Sequence, residues 1–224
     1  MSKGLYEIMG ELEVNGFCIF NLEEDVLNCS EFEALKNMAG GFHVDKEDHI
    51  KLYRRSEILV DLENLLRSIY EQKFKKWNKI FVTRSVVSLS NEKYRTHFDS
   101  HLYTIVIPIV LPSGQTEERG QLYIIPNLRK QPNNDFSNLI TKMSALRLRG
   151  ANSYKKLSNV DKFREIDLKI GEALVFKGMT CLHGNKFNAS PGKRVTAITH
   201  FGDPFPNGIG AKLRYVRKLL KLRT

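Results

Sequence analysis

Two short motifs place the main constraint on this chain, because they lie far apart and can cooperate only if the fold brings them to one point. The first is Thr96-His97-Phe98-Asp99-Ser100; the second is His183-Gly184, followed after a gap by Lys193-Arg194-Val195-Thr196. On a β-strand, residues i and i+2 share a face. His97 and Asp99 are therefore predicted to project together while Phe98 faces the other way. Arg194-Val195-Thr196-Ala197-Ile198-Thr199 alternates polar with small or apolar residues, which predicts a strand with Arg194 and Thr196 on one face. Two histidines and one carboxylate can hold a metal ion such as iron(II) and leave coordination positions open. An arginine fork can hold a carboxylate through two parallel hydrogen bonds, and a hydroxyl two residues on can add a third. The candidate metal ligands are His97, Asp99 and His183; the candidate anion contacts are Arg194 and Thr196.

The other histidines, His43, His49, His101 and His200, read as ordinary surface or core residues. His101 follows His97 by four positions, a spacing that pairs ligands on a helix. The next residues, Leu102-Tyr103-Thr104-Ile105-Val106-Ile107, are β-branched and aromatic, which argues for a strand instead. His200 falls near the end of the Arg194 strand and can lie near the site.

Apolar spacing organises the rest of the chain. Ser30-Glu31-Phe32-Glu33 reads as a capping box with Ser30 at the N-cap and Glu33 reaching back, opening a helix that ends at Gly40-Gly41. Ile58, Leu59, Leu62, Leu65, Leu66, Ile69 and Tyr70 mark the stripe of a longer helix. Lys73-Phe74-Lys75-Lys76-Trp77 reads as its C-terminal end, with favourable cations and a buried Trp77. From Ile80 the pattern changes to strands, predicted at 80–89, 102–111, 121–125, 166–170, 173–176 and 194–201. Helices followed by strands indicate an α+β domain. Many short strands around one metal site suggest a jelly-roll barrel. Between the third strand and Ile166 lies an insertion, roughly 127–164, in which Phe136, Leu139, Ile140, Met143 and Leu146 recur at helical spacing. Long insertions beside a barrel mouth commonly serve as lids or binding loops. We read one domain over 1–224: helical support over about 1–78, a barrel core over about 79–203, and a basic amphipathic helix over about 211–224.

Charge is concentrated rather than spread. The net charge is +10; residues 128–164 carry +7, residues 211–224 carry +6, and the first fifty residues carry −8. Such local excess favours an anionic partner: a charged substrate, nucleic acid or a membrane surface. Arg129, Lys130, Arg147, Arg149, Lys155 and Lys156 are candidate substrate contacts in the insertion, and Leu213, Val216, Leu219 and Leu220 form the apolar face of the C-terminal helix. The longest apolar run, 102–111, is too short to span a bilayer. Residues 1–20 carry Glu7, Glu11 and Glu13 with no secretory apolar core. Cys18, Cys29 and Cys181 form no disulfide framework or zinc spacing, so a reducing cytosol is the expected compartment.

The ordered set His97-x-Asp99, His183, Arg194 and Thr196 resembles the iron(II)- and 2-oxoglutarate-dependent oxygenases. The flanking segments are similar too: Gly120-Gln121-Leu122 to a mid-barrel strand, Gly171-Glu172-Ala173-Leu174-Val175-Phe176 to the strand leading to the distal histidine, and Gly192 to the turn before the last strand. Asn15-Gly16-Phe17-Cys18-Ile19-Phe20 resembles the first strand of many members, and Tyr94 resembles a position of the prolyl-hydroxylase-like subgroup. The resemblance covers about residues 80–203. It implies a double-stranded β-helix, a jelly-roll or cupin-like barrel with N-terminal flanking helices. It also implies Fe(II) on His97, Asp99 and His183, 2-oxoglutarate as co-substrate with its distal carboxylate on Arg194 and Thr196, and O2 as oxidant. The implied reaction releases succinate and carbon dioxide. The carboxylate of Asp99, replaced by a small residue in halogenating relatives, favours hydroxylation or oxidative demethylation. Two other classes stay open on the residues alone: a non-catalytic cupin-like binding protein, and a hydrolase or isomerase using zinc or manganese at the same ligands.

Overall fold

The computed structural model describes residues 3–74, 76–87, 94–114, 119–187, 192–209 and 212. The chain opens with α1 (Leu5–Asn15), β1 (Phe17–Asn21), α2 (Glu24–Leu27), α3 (Ser30–Lys36), β2 (Gly41–Val44), α4 (Glu47–Arg55) and α5 (Glu57–Glu71). It continues with β3 (Lys79–Val87), β4 (Tyr103–Val110), β5 (Leu122–Ile125), α6 (Asp135–Leu146), α7 (Ala151–Leu157), β6 (Arg164–Ile166), β7 (Glu172–Phe176), β8 (Leu182–Asn185) and β9 (Lys193–Phe201). The strands form two sheets, a larger one in the order β1-β7-β4-β9-β3-β2 and a smaller one in the order β6-β5-β8. All pairings are antiparallel.

Strand alternation divides the large sheet into two faces with different jobs. The outer face carries Ile105, Ile107 and Ile109 of β4 and Val195, Ala197 and Phe201 of β9, packed with Leu12, Phe32, Leu52, Leu59, Leu62 and Leu66 of the helices. The inner face carries Val106 of β4 with Leu174 and Phe176 of β7, packed against Leu122, Ile124 and Ile166 of the small sheet. A third cluster, Phe98, Ile125, Ala145, Leu157 and Leu182, joins the far side of the small sheet to α6 and α7. Each apolar set falls on alternate strand positions, so a one-residue slip of β4 or β9 would exchange core for site.

The long helix forms as its stripe predicts, with Leu59, Leu62, Leu66 and Tyr70 buried. Its cap is Ser56, whose hydroxyl accepts from Leu59 N–H and donates to Glu23 Oε2 at 2.6 Å. The capping box expected at Ser30 does not form. Ser30 is already the first helical residue, its hydroxyl bonds Glu31, and Glu33 pairs with Lys36 instead. That helix ends at Lys36, and Gly41 begins a strand that apolar spacing did not reveal. Trp77 lies beyond α5, half-buried, and stacks on Phe201 with ring centres 5.6 Å apart. The strand expected over 166–170 is shorter and earlier, at Arg164–Ile166. The basic segment 211–224 lies outside the described residues apart from Lys212. Among the described residues, no helix is long and apolar enough to cross a membrane.

Candidate metal centre

The three candidate ligands meet at the edge of the small sheet. His183 sits on β8 opposite Ile124, which turns its side chain into the space between the sheets. His97 extends the same sheet through a two-way backbone bridge, with N–H to O=C distances of 2.9 and 3.0 Å to His183. Both imidazoles thus share the inner side, 4.4 Å apart between ring centres. Phe98 points away into the cluster beneath α6 and α7, as alternation predicts. Asp99 returns inward, its N–H bound to Gly178 O at 2.9 Å. One ligand atom from each of the three residues lies within 4.8 Å of the other two.

The donor chemistry fits a divalent cation. His97 Nδ1 is 2.8 Å from Arg95 O, and His183 Nδ1 is 3.1 Å from Cys181 O. A carbonyl only accepts, so each Nδ1 is an N–H donor and each Nε2 is the nitrogen turned to the site. Those Nε2 atoms face opposite oxygens of one carboxylate: His97 to Asp99 Oδ1 at 3.6 Å, His183 to Asp99 Oδ2 at 3.5 Å. Neighbouring donors on an octahedral ion with bonds of about 2.1 Å stand about 3.0 Å apart, so a small contraction would complete the set. Burial, then the neighbouring His183, holds the His97 imidazole down at about 3, so it stays neutral and able to ligate. Burial pushes the Asp99 carboxyl upward, but His183 and then His200 outweigh it and hold it well below the usual carboxylate range.

Asp99 is held by Thr104, which sequence patterning did not assign to the site, and through it by His200, which the end of the Arg194 strand placed near it. Thr104 Oγ1 donates to Asp99 Oδ2 at 2.6 Å, and His200 Nδ1 lies 3.0 Å from the same hydroxyl. The hydroxyl has one hydrogen, already committed to Asp99, so His200 Nδ1 must donate to it. The chain His200–Thr104–Asp99 occupies Oδ2 and leaves Oδ1 the more open oxygen. His101, read as ordinary, stacks on His200 with ring centres 5.1 Å apart. Two glycines make the arrangement possible by having no side chain. A Cβ on Gly178 would stand 2.7 Å from Thr104 Oγ1 and 2.8 Å from Asp99 Oδ2. A Cβ on Gly184 would stand 2.5 Å from Tyr123 Oη, which meets Thr96 Oγ1 at 2.6 Å directly beneath His97.

Arg194 and Thr196 occupy the other end of the same inner face. The β4–β9 register sets His200 opposite Thr104, Ile198 opposite Val106 and Thr196 opposite Pro108. His200 and Thr196 are four residue steps apart on β9, about 13 Å along the backbone. Arg194, Thr196, Val106, Pro108, Gln121 and Leu168 help line a cavity there. Its lining reaches Val106, one inward position short of Thr104. Arg194 Nη1 donates to Gly120 O. Burial lowers its guanidinium to about 10, so it remains cationic at neutral pH. Gln121 Oε1, also at this cavity, is buried with no hydrogen-bond partner among the described residues. Arg84 pairs with Thr196 across β3 and β9, and burial followed by Arg194 and Arg95 lowers it to about 10. The metal-ligand end and the arginine end thus lie on one surface, as the opening motifs require.

The insertion reaches the centre. Lys142 Nζ on α6 donates to Ser100 Oγ at 2.5 Å. Of the bases proposed as substrate contacts, Arg129 is committed elsewhere. It donates to Met179 O and Asn138 Oδ1 at 2.7 and 2.9 Å and to Thr141, and it covers the Phe98 ring at 4.1 Å. Lys130, Arg147, Arg149, Lys155 and Lys156 remain exposed. Tyr94 packs on Tyr154 of α7, 5.1 Å between ring centres.

No protein-family profile and no curated protein sequence matches the chain. Solved structures do match in shape. HygX from Streptomyces hygroscopicus with iron bound aligns at TM-score 0.56 and 13% identity, over 89% of this chain and 87% of that one. EvdO2 from Micromonospora carbonacea var. aurantiaca, complexed with 2-oxoglutarate, aligns at 0.56 and 14%, over 90% and 92%. The chain shares the fold of these proteins. EctD from S. alaskensis with bound Fe gives 0.56 and 10% over 86% and 74%. HygX with nickel and 2-oxoglutarate bound aligns at 0.52 and 12%, over 89% and 86%, and this chain has its own His97–Asp99–His183 cluster.

Proposed function

We propose that this protein is a non-haem iron(II)- and 2-oxoglutarate-dependent dioxygenase on a double-stranded β-helix, hydroxylating or oxidatively demethylating an anionic substrate. The observation that carries the reading is the convergence of His97, Asp99 and His183, with both histidine Nδ1 atoms tied to backbone carbonyls. Iron bound there with 2-oxoglutarate supplies the oxidising chemistry, in which one atom of O2 enters succinate as carbon dioxide leaves and the other goes to the substrate. His97 and His183 would present their Nε2 nitrogens, and Asp99 would supply the negative charge. Thr104 and His200 orient that carboxylate. Arg194 would hold the distal carboxylate of 2-oxoglutarate in place of Gly120 O, with the Thr196 hydroxyl beside it. Lys142 beside Ser100, and Arg95 two residues before His97, favour an anionic substrate. Three free, buried cysteines suit a reducing cytosol.

Anaerobic titration with iron(II) and 2-oxoglutarate tests the assignment. The weak visible charge-transfer band of the chelate should form in the wild type and be absent from His97→Ala. Arg194→Ala should keep metal binding but need far more 2-oxoglutarate for the same band. Metal binding without a 2-oxoglutarate-dependent band would discard the oxygenase reading in favour of a hydrolase, an isomerase or a binding protein.

A further inference from the structure

Helix α6 is built inside out. Asn138 and Ala145 are its buried residues. Its protein-facing side is polar: Asn138 and Thr141 accept from Arg129, and Lys142 reaches Ser100. Its large apolar residues face outward, with Phe136 66%, Ile140 46%, Met143 59% and Leu146 47% exposed. Positions 136, 140 and 143 are spaced four and three apart, so they form one stripe on the helix surface. An ordinary amphipathic helix buries that stripe, as α5 does; an outward stripe of this size marks an interaction surface.

The surroundings of the stripe select its occupant. It lies within the insertion of net charge +7, which also carries the exposed Lys155 and Lys156 of α7. Gly208 packs beside α6, where a Cβ would stand 2.5 Å from the Asp135 carboxylate. Ile209 follows, 58% exposed. The described basic concentration of the chain and its outward apolar stripe thus belong to the same insertion. A second copy of this chain is a poor occupant, because a two-fold contact would set one +7 surface against another.

We propose that the outer face of α6 docks on an anionic lipid surface, inserting Phe136, Ile140 and Met143 among the acyl chains while the surrounding lysines and arginines meet the headgroups. Apolar insertion and headgroup attraction contribute together, so both are required for firm binding. The contact between Lys142 and Ser100 places the opposite, protein-facing side of α6 beside the metal centre, and the docking itself does not depend on metal or on turnover.

Flotation of the full chain with vesicles tests this. One set is phosphatidylcholine alone; in the other, phosphatidylserine replaces part of it. The protein should float with the second set and not the first, and added salt should weaken the association. Replacing Phe136, Ile140 and Met143 together by serine should lower affinity at least about tenfold while leaving the thermal midpoint unchanged. The double change Lys155→Glu with Lys156→Glu should also weaken binding, again without loss of fold. Failure of the wild type to float with the phosphatidylserine vesicles would overturn the proposal. So would undiminished flotation of the triple variant, or a wild-type dimer that the triple variant dissociates.

Discussion

The two faces of the large sheet use the same strands for opposite purposes. On β4 and β9 the outward positions are Ile105, Ile107, Ile109, Val195, Ala197 and Phe201, all buried and apolar. The positions between them hold Thr104, His200, Thr196 and Arg194, each tied to the metal-ligand end or to the cavity. The contrast extends to two buried histidines. His49 on α4 lies among the outer-face residues between Thr83 Oγ1 and Thr199 Oγ1, 3.2 Å from each. His183 lies on the inner side with one nitrogen on a backbone carbonyl and the other facing Asp99. The same imidazole is core in one place and a candidate ligand in the other. The deciding difference is whether the second nitrogen meets a hydroxyl or a carboxylate shared with another histidine. A separation this clean means that stability and chemistry should be separable by mutation.

The largest test of that separation pairs one residue from each side. Asp99→Ala should abolish metal binding measured by calorimetry and lower the melting point of the metal-free protein, because Thr104 and the histidines lose their buried partner, yet leave it folded. Ile107→Ala should do the reverse, costing about 2–5 kcal/mol in denaturant unfolding through lost burial and an unfilled cavity, with the metal still bound. If Asp99→Ala unfolds the protein, or Ile107→Ala removes the metal site without unfolding it, the two faces are not independent.

A smaller effect is expected one step back from the ligands. Thr104→Val keeps the strand and the volume but frees Asp99 Oδ2 from its 2.6 Å hydrogen bond. Partners of metal ligands typically contribute 10–100-fold to affinity, so metal binding should weaken by roughly that factor. Thr104→Ser, which restores the hydroxyl, should recover most of it. An unchanged affinity in Thr104→Val would show that the His200–Thr104–Asp99 chain is packing alone.

The parts of this arrangement legible from sequence were those in which local spacing and chemistry coincide. His97-x-Asp99 and Arg194-x-Thr196 announce themselves because strand alternation sets both members of each pair on one face. The stripe of α5 is likewise a local pattern. Thr104 and His200 were not legible as partners, since they stand 96 residues apart and only the β4–β9 register joins them. Strand β8 carries too few alternating apolar residues to be read as a strand, and the approach of Tyr123 beneath Gly184 is a tertiary contact. At Ser30 the motif was right in composition and wrong by one position, because Cys29 takes the N-cap. The stripe of α6 was found correctly, but periodicity says only that a face exists. Which way it turned was decided by Arg129, which holds Asn138 and Thr141 toward the body.

The smallest and most specific test returns to His49. Burial, then His200, holds its imidazole down at about 3, against 6.5 for the free group. In the unfolded chain the ring takes up a proton below about 6.5, whereas in the folded chain it stays neutral until about 3. Between those values the unfolded state binds more protons, so the contribution of neutral His49 is complete above 6.5 and is lost as pH falls toward 3. The expected slope is about 1.4 kcal/mol per pH unit from this residue. His49→Gln keeps a donor and an acceptor between Thr83 and Thr199 and does not titrate, so its unfolding free energy should fall less steeply over that range. Denaturant melts of the two proteins at several acid pH values measure the difference. Parallel pH profiles would mean that His49 is protonated in the folded state, and that the outer face is not the dry, purely structural layer its packing describes.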